Sequence, residues 1–234
     1  MKLIKSLSVA LLLGALASAP ASHAGVLNGD FDDGLTGWSS LGDVAVVAGA
    51  AVLTTASLDS DDAPSASGAF NISGNAAAPV GTPGGLEDFA GLPLGALDPD
   101  PAAGTWAFEG SALSQTLTVQ AGDSLSFDWT FTSNEDPLTG MNDYAFILIG
   151  DVLAVLGDAA GGTSGQHFSY AFSSAANVKL VFGVVDVNDY VGTSRLGIDA
   201  VRIDASQNVP EPGTLALGLG GLLIGAARLR NRQH

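Results

Sequence analysis

The clearest structural pattern in the chain is the alternation of apolar and polar side chains in Leu113-Ser114-Gln115-Thr116-Leu117-Thr118-Val119. The turn Ala121-Gly122-Asp123 follows, and the same period continues through Leu125-Ser126-Phe127-Asp128-Trp129-Thr130-Phe131. A period of two places successive side chains on opposite faces of a β-strand. The pattern therefore predicts two strands that form a β-hairpin across the Gly-Asp turn, with Trp129 on the buried face.

Apolar stretches of strand length, separated by turn residues, recur on both sides of this pair, and no convincing helical pattern lies between them. We therefore predict an all-β domain over residues 25–208, an antiparallel β-sandwich of jelly-roll type. The further strands are predicted at Ala45–Thr55, Thr105–Phe108, Tyr144–Gly150, Val152–Leu156, His167–Phe172, Val178–Val187 and Leu196–Ile203.

One part of this domain has a different composition. Residues 59–103 are rich in Pro, Gly, Ala and Asp, and they predict a long loop with one short strand at Phe70–Ile72. Loops of this length inside a compact domain are uncommon and tend to be functional or mobile.

The composition excludes several classes of function. Lys and Arg number 8 against 24 Asp and Glu, a net charge of −16, so the cationic surface that nucleic acid requires is missing. Cysteine is absent, which excludes disulfides, thiol nucleophiles and thiolate metal sites. The domain contains a single histidine, His167, whose ordinary interpretation is a strand-edge residue. The domain sequence contains no Gly-x-Ser-x-Gly elbow, phosphate loop or dinucleotide fingerprint.

The first 24 residues have the layout of a secretory signal peptide. A positive n-region with Lys2 and Lys5 precedes the apolar run Leu7–Leu16, and small residues lead to a predicted cleavage between Ala24 and Gly25. The sequence therefore predicts export.

The C-terminal segment, residues 209–234, also contains several motifs in a defined succession. A Pro-Glu-Pro tripeptide precedes an apolar segment, residues 213–227, which we predict to be a short transmembrane helix with a basic cluster after it. The positive-inside rule retains such a cluster in the cytoplasm. Because the apolar part is shorter than the ~20 residues of a full span, it predicts a weak membrane anchor. The motif residues are Pro210, Glu211, Pro212, Arg228, Arg230 and Arg232.

This order of tripeptide, Gly/Leu-rich helix and terminal arginines resembles the PEP-CTERM sorting signal of Gram-negative bacteria. The resemblance implies processing by an exosortase-type enzyme in the inner membrane, followed by passage to the cell surface or extracellular matrix. It also implies an association with exopolysaccharide and biofilm.

The start and the end of the domain carry a second resemblance. Asn28-Gly29-Asp30-Phe31-Asp32-Asp33-Gly34-Leu35-Thr36-Gly37-Trp38 and Asp199-Ala200-Val201-Arg202-Ile203 resemble the first and last strands of carbohydrate-binding-module-like (galactose-binding-like) jelly rolls. The resemblance implies that these strands meet and that a structural calcium ion lies near their junction, with Asp30, Asp32 and Asp199 as candidate ligands. Asp32 replaces the family's longer Glu. The alternative interpretation is that these acids are ordinary turn residues.

Three further blocks resemble segments that recur in exported PEP-CTERM β proteins: Asp128–Thr132, Asn142–Phe146 and Phe182–Val187. No activity follows from this resemblance. Asp143, Asp186 and Asp189 are candidates for convergent loop carboxylates that hold a cation, and the alternative is that they are solvated strand ends.

Taken together, these patterns predict an exported, non-catalytic surface or matrix protein, with glycan binding as an additional hypothesis. A sugar would pack against an exposed aromatic ring, and Trp106 and Tyr190 are the candidate contacts. Two alternatives stay open: a polysaccharide-active hydrolase that uses loop carboxylates, and a purely structural calcium-stabilised surface protein.

Overall fold

The computed structural model describes residues 25–58, 70–135 and 140–206, which form two antiparallel sheets packed face to face. The predicted β-sandwich of jelly-roll type is therefore confirmed. The strands are β1 (Ser39–Leu41), β2 (Asp43–Val47), β3 (Ala50–Thr54), β4 (Ala78–Pro79), β5 (Ala107–Val119), β6 (Ser124–Ser133), β7 (Tyr144–Ile149), β8 (Val152–Asp158), β9 (Ser164–Ala171), β10 (Ala176–Val187) and β11 (Ser194–Asp204).

Each sheet combines strands that are distant in the chain. The first sheet has the order β1-β5-β10-β7-β8, with β4 also paired to β5, and the second has the order β2-β3-β11-β6-β9. Every pairing recorded between these strands is antiparallel.

The predicted hairpin across Ala121-Gly122-Asp123 is wrong. The strands on either side of this turn, β5 and β6, lie in different sheets and pair with β10 and with β11 and β9. The turn instead crosses from one sheet to the other. It is held by Asp123, whose carboxylate accepts hydrogen bonds from Gln120 N (2.7 Å) and Ser206 N (2.9 Å).

The main core lies between the sheets, where the alternating residues of both hydrophobic runs meet. Leu113 and Leu117 from β5 face Phe127, Trp129 and Phe131 from β6, and all five side chains are buried. The predicted burial of Trp129 is therefore confirmed. At about 25 cal/mol per Å² of apolar surface, this interior supplies the principal favourable free energy of folding.

A second, smaller core covers the outer face of the first sheet. Part of the predicted long loop forms a helix, α1 (Leu86–Ala90), and a 3₁₀ turn at Pro101–Ala103. Leu86 and Leu97 are fully buried there against Val181 and Val185 of β10. The described part of the loop is therefore a packed cover for the sheet, and the segment 59–69 lies outside the described residues.

Two of the predicted strands have different bounds in the structure. Ala45–Thr55 is two strands, because Ala48 and Gly49 adopt positive φ (53° and 87°) and make the tight turn between β2 and β3. Of the predicted strand Thr105–Phe108, only Ala107 and Phe108 lie in a strand, and they begin the 13-residue β5, which continues to Val119.

Phe70–Ile72 is not a strand. The backbone amides of Ile72 and Ser73 donate to the buried carboxylate of Asp43 instead of to a neighbouring strand (Oδ2 at 3.0 Å and Oδ1 at 2.7 Å, respectively).

The predicted terminal segments fall outside the described residues. These are the signal peptide up to Ala24 and the sorting signal with its apolar helix at 213–227. Within the part of the chain that the structure describes, no helix is long and apolar enough to span a membrane.

Candidate functional site

The first segment of the domain lies against its last strand. Gly29 O accepts a hydrogen bond from Val201 N (2.9 Å), and a Cβ on Gly29 would stand 1.9 Å from Val201 O, so this contact requires glycine. Trp38 is buried beside Phe31 and Phe182, with ring centroids 5.4 and 6.1 Å away. The opening segment therefore meets the last strand, β11, although residues 28–38 form turns and not a strand, and Trp38 packs inward.

Two side chains that we did not single out from the sequence organise this segment. Asn28 donates to Gly34 O (2.8 Å) and accepts from Asp33 N (3.1 Å). Gln115 accepts from Leu27 N (2.8 Å) and donates to Leu27 O (3.0 Å) and Gly37 O (3.0 Å). The sequence contained a signal for this role, because Gln115 is a polar residue on the same face of the strand as the buried Leu113 and Leu117.

The three candidate calcium ligands at this junction are all exposed. Asp30 Oδ1 accepts from Asp32 N (3.5 Å), and Asp199 Oδ1 accepts from Ala200 N (2.6 Å), which are local turn contacts. Across the described residues, no group of three or more His, Cys, Asp or Glu side chains is placed to hold a metal ion. Calcium at Asp30, Asp32 and Asp199 stays a prediction.

A cleft of about 560 Å³ opens between the segment around Asp98 and the strands β7 and β8. Its wall combines exposed apolar side chains, Leu153 and Val155, with polar ones. Clefts of ~300–1,000 Å³ with a few polar groups are the usual form of small-molecule sites. The polar lining consists of Asp98, Thr105, Asn142, Tyr144 and Asp158.

Backbone contacts hold this cleft in shape. Tyr144 donates its hydroxyl proton to Leu97 O (2.5 Å), and Asp98 Oδ1 accepts from Ala107 N (3.0 Å). Burial raises the pKa of Tyr144, and the nearby carboxylates of Asp98 and Glu87 add to the shift, so this hydroxyl stays protonated. The cleft wall is therefore anchored to the start of β5.

Neither of the two predicted sugar contacts is part of the lining of this cleft, although Trp106 is adjacent to it in the sequence. Trp106 is 46% exposed and directly follows Thr105 of the cleft wall, and its backbone N donates to Asn188 Oδ1 (2.9 Å). Asn188 in turn donates to Gly140 O (3.3 Å), which also lines the cleft. Tyr190 is 45% exposed, and its ring lies 5.0 Å from that of Phe108, two residues beyond Trp106. Both rings keep solvent-accessible surface.

His167 lies on the other sheet, where its Nδ1 is 2.8 Å from Asp128 Oδ1 across the β6–β9 pair. Both side chains are exposed, and Asp128 is the only hydrogen-bond partner of the ring among the described residues. A hydrolytic triad would also need a hydroxyl nucleophile hydrogen-bonded to the histidine, and the described residues provide none to this ring. The pair therefore agrees with a strand-edge histidine.

Asp143 and Asp186 are buried, so the interpretation of these two acids as solvated strand ends is wrong. Asp143 Oδ1 accepts from Val187 N (2.9 Å), the residue after Asp186. Burial raises the pKa of both carboxyl groups, and the charge of Asp143 raises that of Asp186 further. Asp189 is only half-buried and accepts from Val191 N (3.1 Å). Raised carboxyl pKa values are typical of functional sites, but no substrate can reach these two.

Comparison with known proteins identifies relatives of the fold only. No protein-family model matches the chain, and no curated protein matches it. Among solved structures, TmCBM61 in complex with β-1,4-galactotriose aligns over 76% of this chain and 95% of its own, at 13% identity and a TM-score of 0.35. The K3 adhesin domain of Lys-gingipain from Porphyromonas gingivalis aligns over 78% of this chain and 99% of its own, at 12% identity and a TM-score of 0.38. A family 16 carbohydrate-binding module aligns over 76% of this chain and 98% of its own, at 9% identity and a TM-score of 0.37.

Proposed function

We propose that this chain is an exported, non-catalytic protein of the cell surface or extracellular matrix that binds polysaccharide in the cleft beside Trp106 and Tyr190. The observation that carries the proposal is the combination of an open cleft with two half-exposed aromatic rings. Aromatic rings with one face in solvent suit the apolar face of a pyranose.

The polar groups of the cleft complete a sugar site of ordinary chemistry. Asn142, Asp158 and Thr105 present amide, carboxylate and hydroxyl groups that can bond sugar hydroxyls, while Leu153 and Val155 offer apolar surface. An open cleft of this kind accommodates a short stretch of a chain rather than a fully enclosed monosaccharide.

Several observations support a non-catalytic role. The carboxyl groups with raised pKa, Asp143 and Asp186, are sealed inside the sandwich, whereas glycoside hydrolysis needs two accessible carboxyl groups ~5–9.5 Å apart. The two cleft acids, Asp98 and Asp158, accept hydrogen bonds from Ala107 N and Gly161 N and so have structural roles. Release of reducing ends from a polysaccharide would contradict this part of the proposal.

The binding part is tested with full-length protein and a panel of immobilised bacterial and plant polysaccharides. We expect Trp106→Ala to lower retention by roughly 10-fold or more, since loss of one stacked ring costs about 1–3 kcal/mol, by analogy with base stacking. Val47→Ala, an equally exposed apolar position at the β2–β3 turn, is the matched control and should retain full binding. Failure of the unmodified protein to retain any polysaccharide would contradict glycan binding.

The export part rests on the terminal sequences, which predict a signal peptide and an exosortase-type sorting signal. We expect replacement of Pro210, Glu211 and Pro212 by alanine to leave the protein in the inner membrane of the Gram-negative host. The measurement is fractionation of inner membrane, cell surface and medium by immunoblot. Equal amounts of the triple variant and the natural chain in the outer fractions would refute the sorting role.

A further inference from the structure

One end of the sandwich interior is lined by oxygen atoms from both sheets. On β10, Asp186 follows the inward-facing residues Phe182 and Val184 at the two-residue period, so its carboxyl group points between the sheets. Glu109 of β5 lies directly opposite it in the register. Asp143, just before β7, completes this side and is bonded to Val187 N.

The second sheet contributes hydroxyl groups to the same end. Ser194, in phase with the inward-facing Leu196 and Ile198 of β11, donates to Ser133 Oγ (2.8 Å) and lies within hydrogen-bonding reach of the Asp143 carboxylate. The neighbouring Thr193 hydroxyl is buried and has no hydrogen-bond partner within the described part of the chain. The interior here is therefore rich in acceptor atoms.

Asp186 differs from the other buried carboxylates in its hydrogen bonds. Asp43, Glu87 and Asp123 each accept backbone N–H groups on both carboxylate oxygens. Asp186 is fully buried, and neither of its oxygens has a hydrogen-bond partner among the described residues. Asp143 Oδ2 is in the same situation. Buried polar atoms are nearly always paired, so these three oxygens indicate a missing ligand.

The charges around these oxygens have one sign. Asp143, Asp189, Glu135 and Glu109 all act on Asp186 as negative neighbours, and together with burial they raise its pKa. Neither Asp143 nor Asp186 forms an ion pair with Lys, Arg or His in the described ranges. A cation between these carboxylates would compensate the negative charges and replace the proton that the raised pKa otherwise keeps on Asp186.

We propose that a calcium ion binds inside the sandwich between the carboxylates of Asp143 and Asp186. All donors nearby are oxygens, which is the ligand set of Ca²⁺, and the chain has no cysteine to favour a softer metal. Because only two carboxylates are required, the remaining ~4–6 ligands are carbonyl and hydroxyl oxygens and water. This site is distinct from the predicted Asp32–Asp199 junction and does not depend on glycan binding.

The test is the melting temperature of the full-length chain in calcium and in EDTA, together with calorimetric titration of CaCl₂. We expect one ion per chain, and a melting temperature higher by roughly 5–10 °C when calcium exceeds its Kd about 100-fold. Asp186→Asn should abolish this response. In EDTA the same variant should melt no lower than the natural chain, because the amide is neutral, like the protonated carboxyl group of Asp186, whose pKa is raised to about 10.

Two control variants make the result specific. Asp43→Asn alters a buried carboxylate that is already bonded and should keep the calcium response, and the Asp32→Asn/Asp199→Asn double variant should keep it too. The proposal is overturned if the natural chain binds no calcium, or if the response survives in Asp186→Asn and disappears in the double variant. An Asp186→Asn chain that fails to fold in EDTA would also contradict it.

Discussion

Buried carboxylates of this sandwich fall into two groups at the scale of single residues. Asp43 receives the amides of Ile72 and Ser73 and the hydroxyl of Thr54, so its charge is compensated by dipoles and it ties an otherwise irregular segment to β2. Asp186 receives none of these donors. A local signal for this difference exists in the sequence, because Asp186 interrupts the run Val184-Val185-Asp186-Val187 at an inward position.

The raised pKa values predict how calcium-free protein responds to pH. The pKa of Asp143 rises from 3.8 to about 6, mainly because the group is buried. The pKa of Asp186 rises from 3.8 to about 10, because of burial first and then the charge of Asp143. An acid whose folded-state pKa is raised contributes stability below its unfolded pKa and loses it as the pH rises toward the folded value. In EDTA, the free energy of unfolding should therefore fall by roughly 1–4 kcal/mol between pH 5 and pH 8.

Urea unfolding of full-length protein at each pH measures this effect. The Asp186→Asn variant is the control, because only Asp143 can still titrate and its contribution ends near its own pKa. A natural chain whose stability in EDTA is equal or greater at pH 8 would contradict the assigned direction of the shift.

At the scale of elements, β10 is the strand on which both cores depend. One face of β10 packs into the sandwich and the other packs under the cover that includes α1. Gly183 lies on the outer face opposite Phe146 of β7, and the Phe146 ring occupies the space where a side chain would stand. Aromatic cover of a strand glycine is a known stabilising arrangement in sheets.

This pairing makes Gly183→Ala a specific prediction. The new Cβ would lie 2.3 Å from the fully buried Phe146 ring, so we expect a loss of about 1–3 kcal/mol in the free energy of unfolding. Combining it with Phe146→Leu, which replaces the ring with a smaller side chain, should cost less than the sum of the two single changes. Additive costs in urea unfolding would show that the ring is not what the alanine meets.

At the scale of the whole molecule, the acids behind the net charge of −16 are distributed unevenly between the surface and the interior. Many of the acids that the structure describes are exposed, where water screens them, whereas four acids near Asp186 act on it at one end of the interior. The cleft beside Trp106 lies on the outer side of the first sheet, away from the surface strand pair of His167. The cleft and the histidine pair therefore lie on different sheets, and the interior acid cluster lies between the sheets.

The sequence by itself determined most of the long strands and the burial of Trp129, because a two-residue period is local and needs no knowledge of the partner strand. It also predicts export, since the terminal segments match a signal peptide and a sorting signal in composition and order. Only the tertiary structure decided that β5 and β6 separate into different sheets, because partner choice depends on hydrogen bonds such as those between β5 and β10, more than 50 residues apart. Long-range contacts between β10 and the start of β7 likewise brought Asp143 to Asp186, which no local pattern encodes.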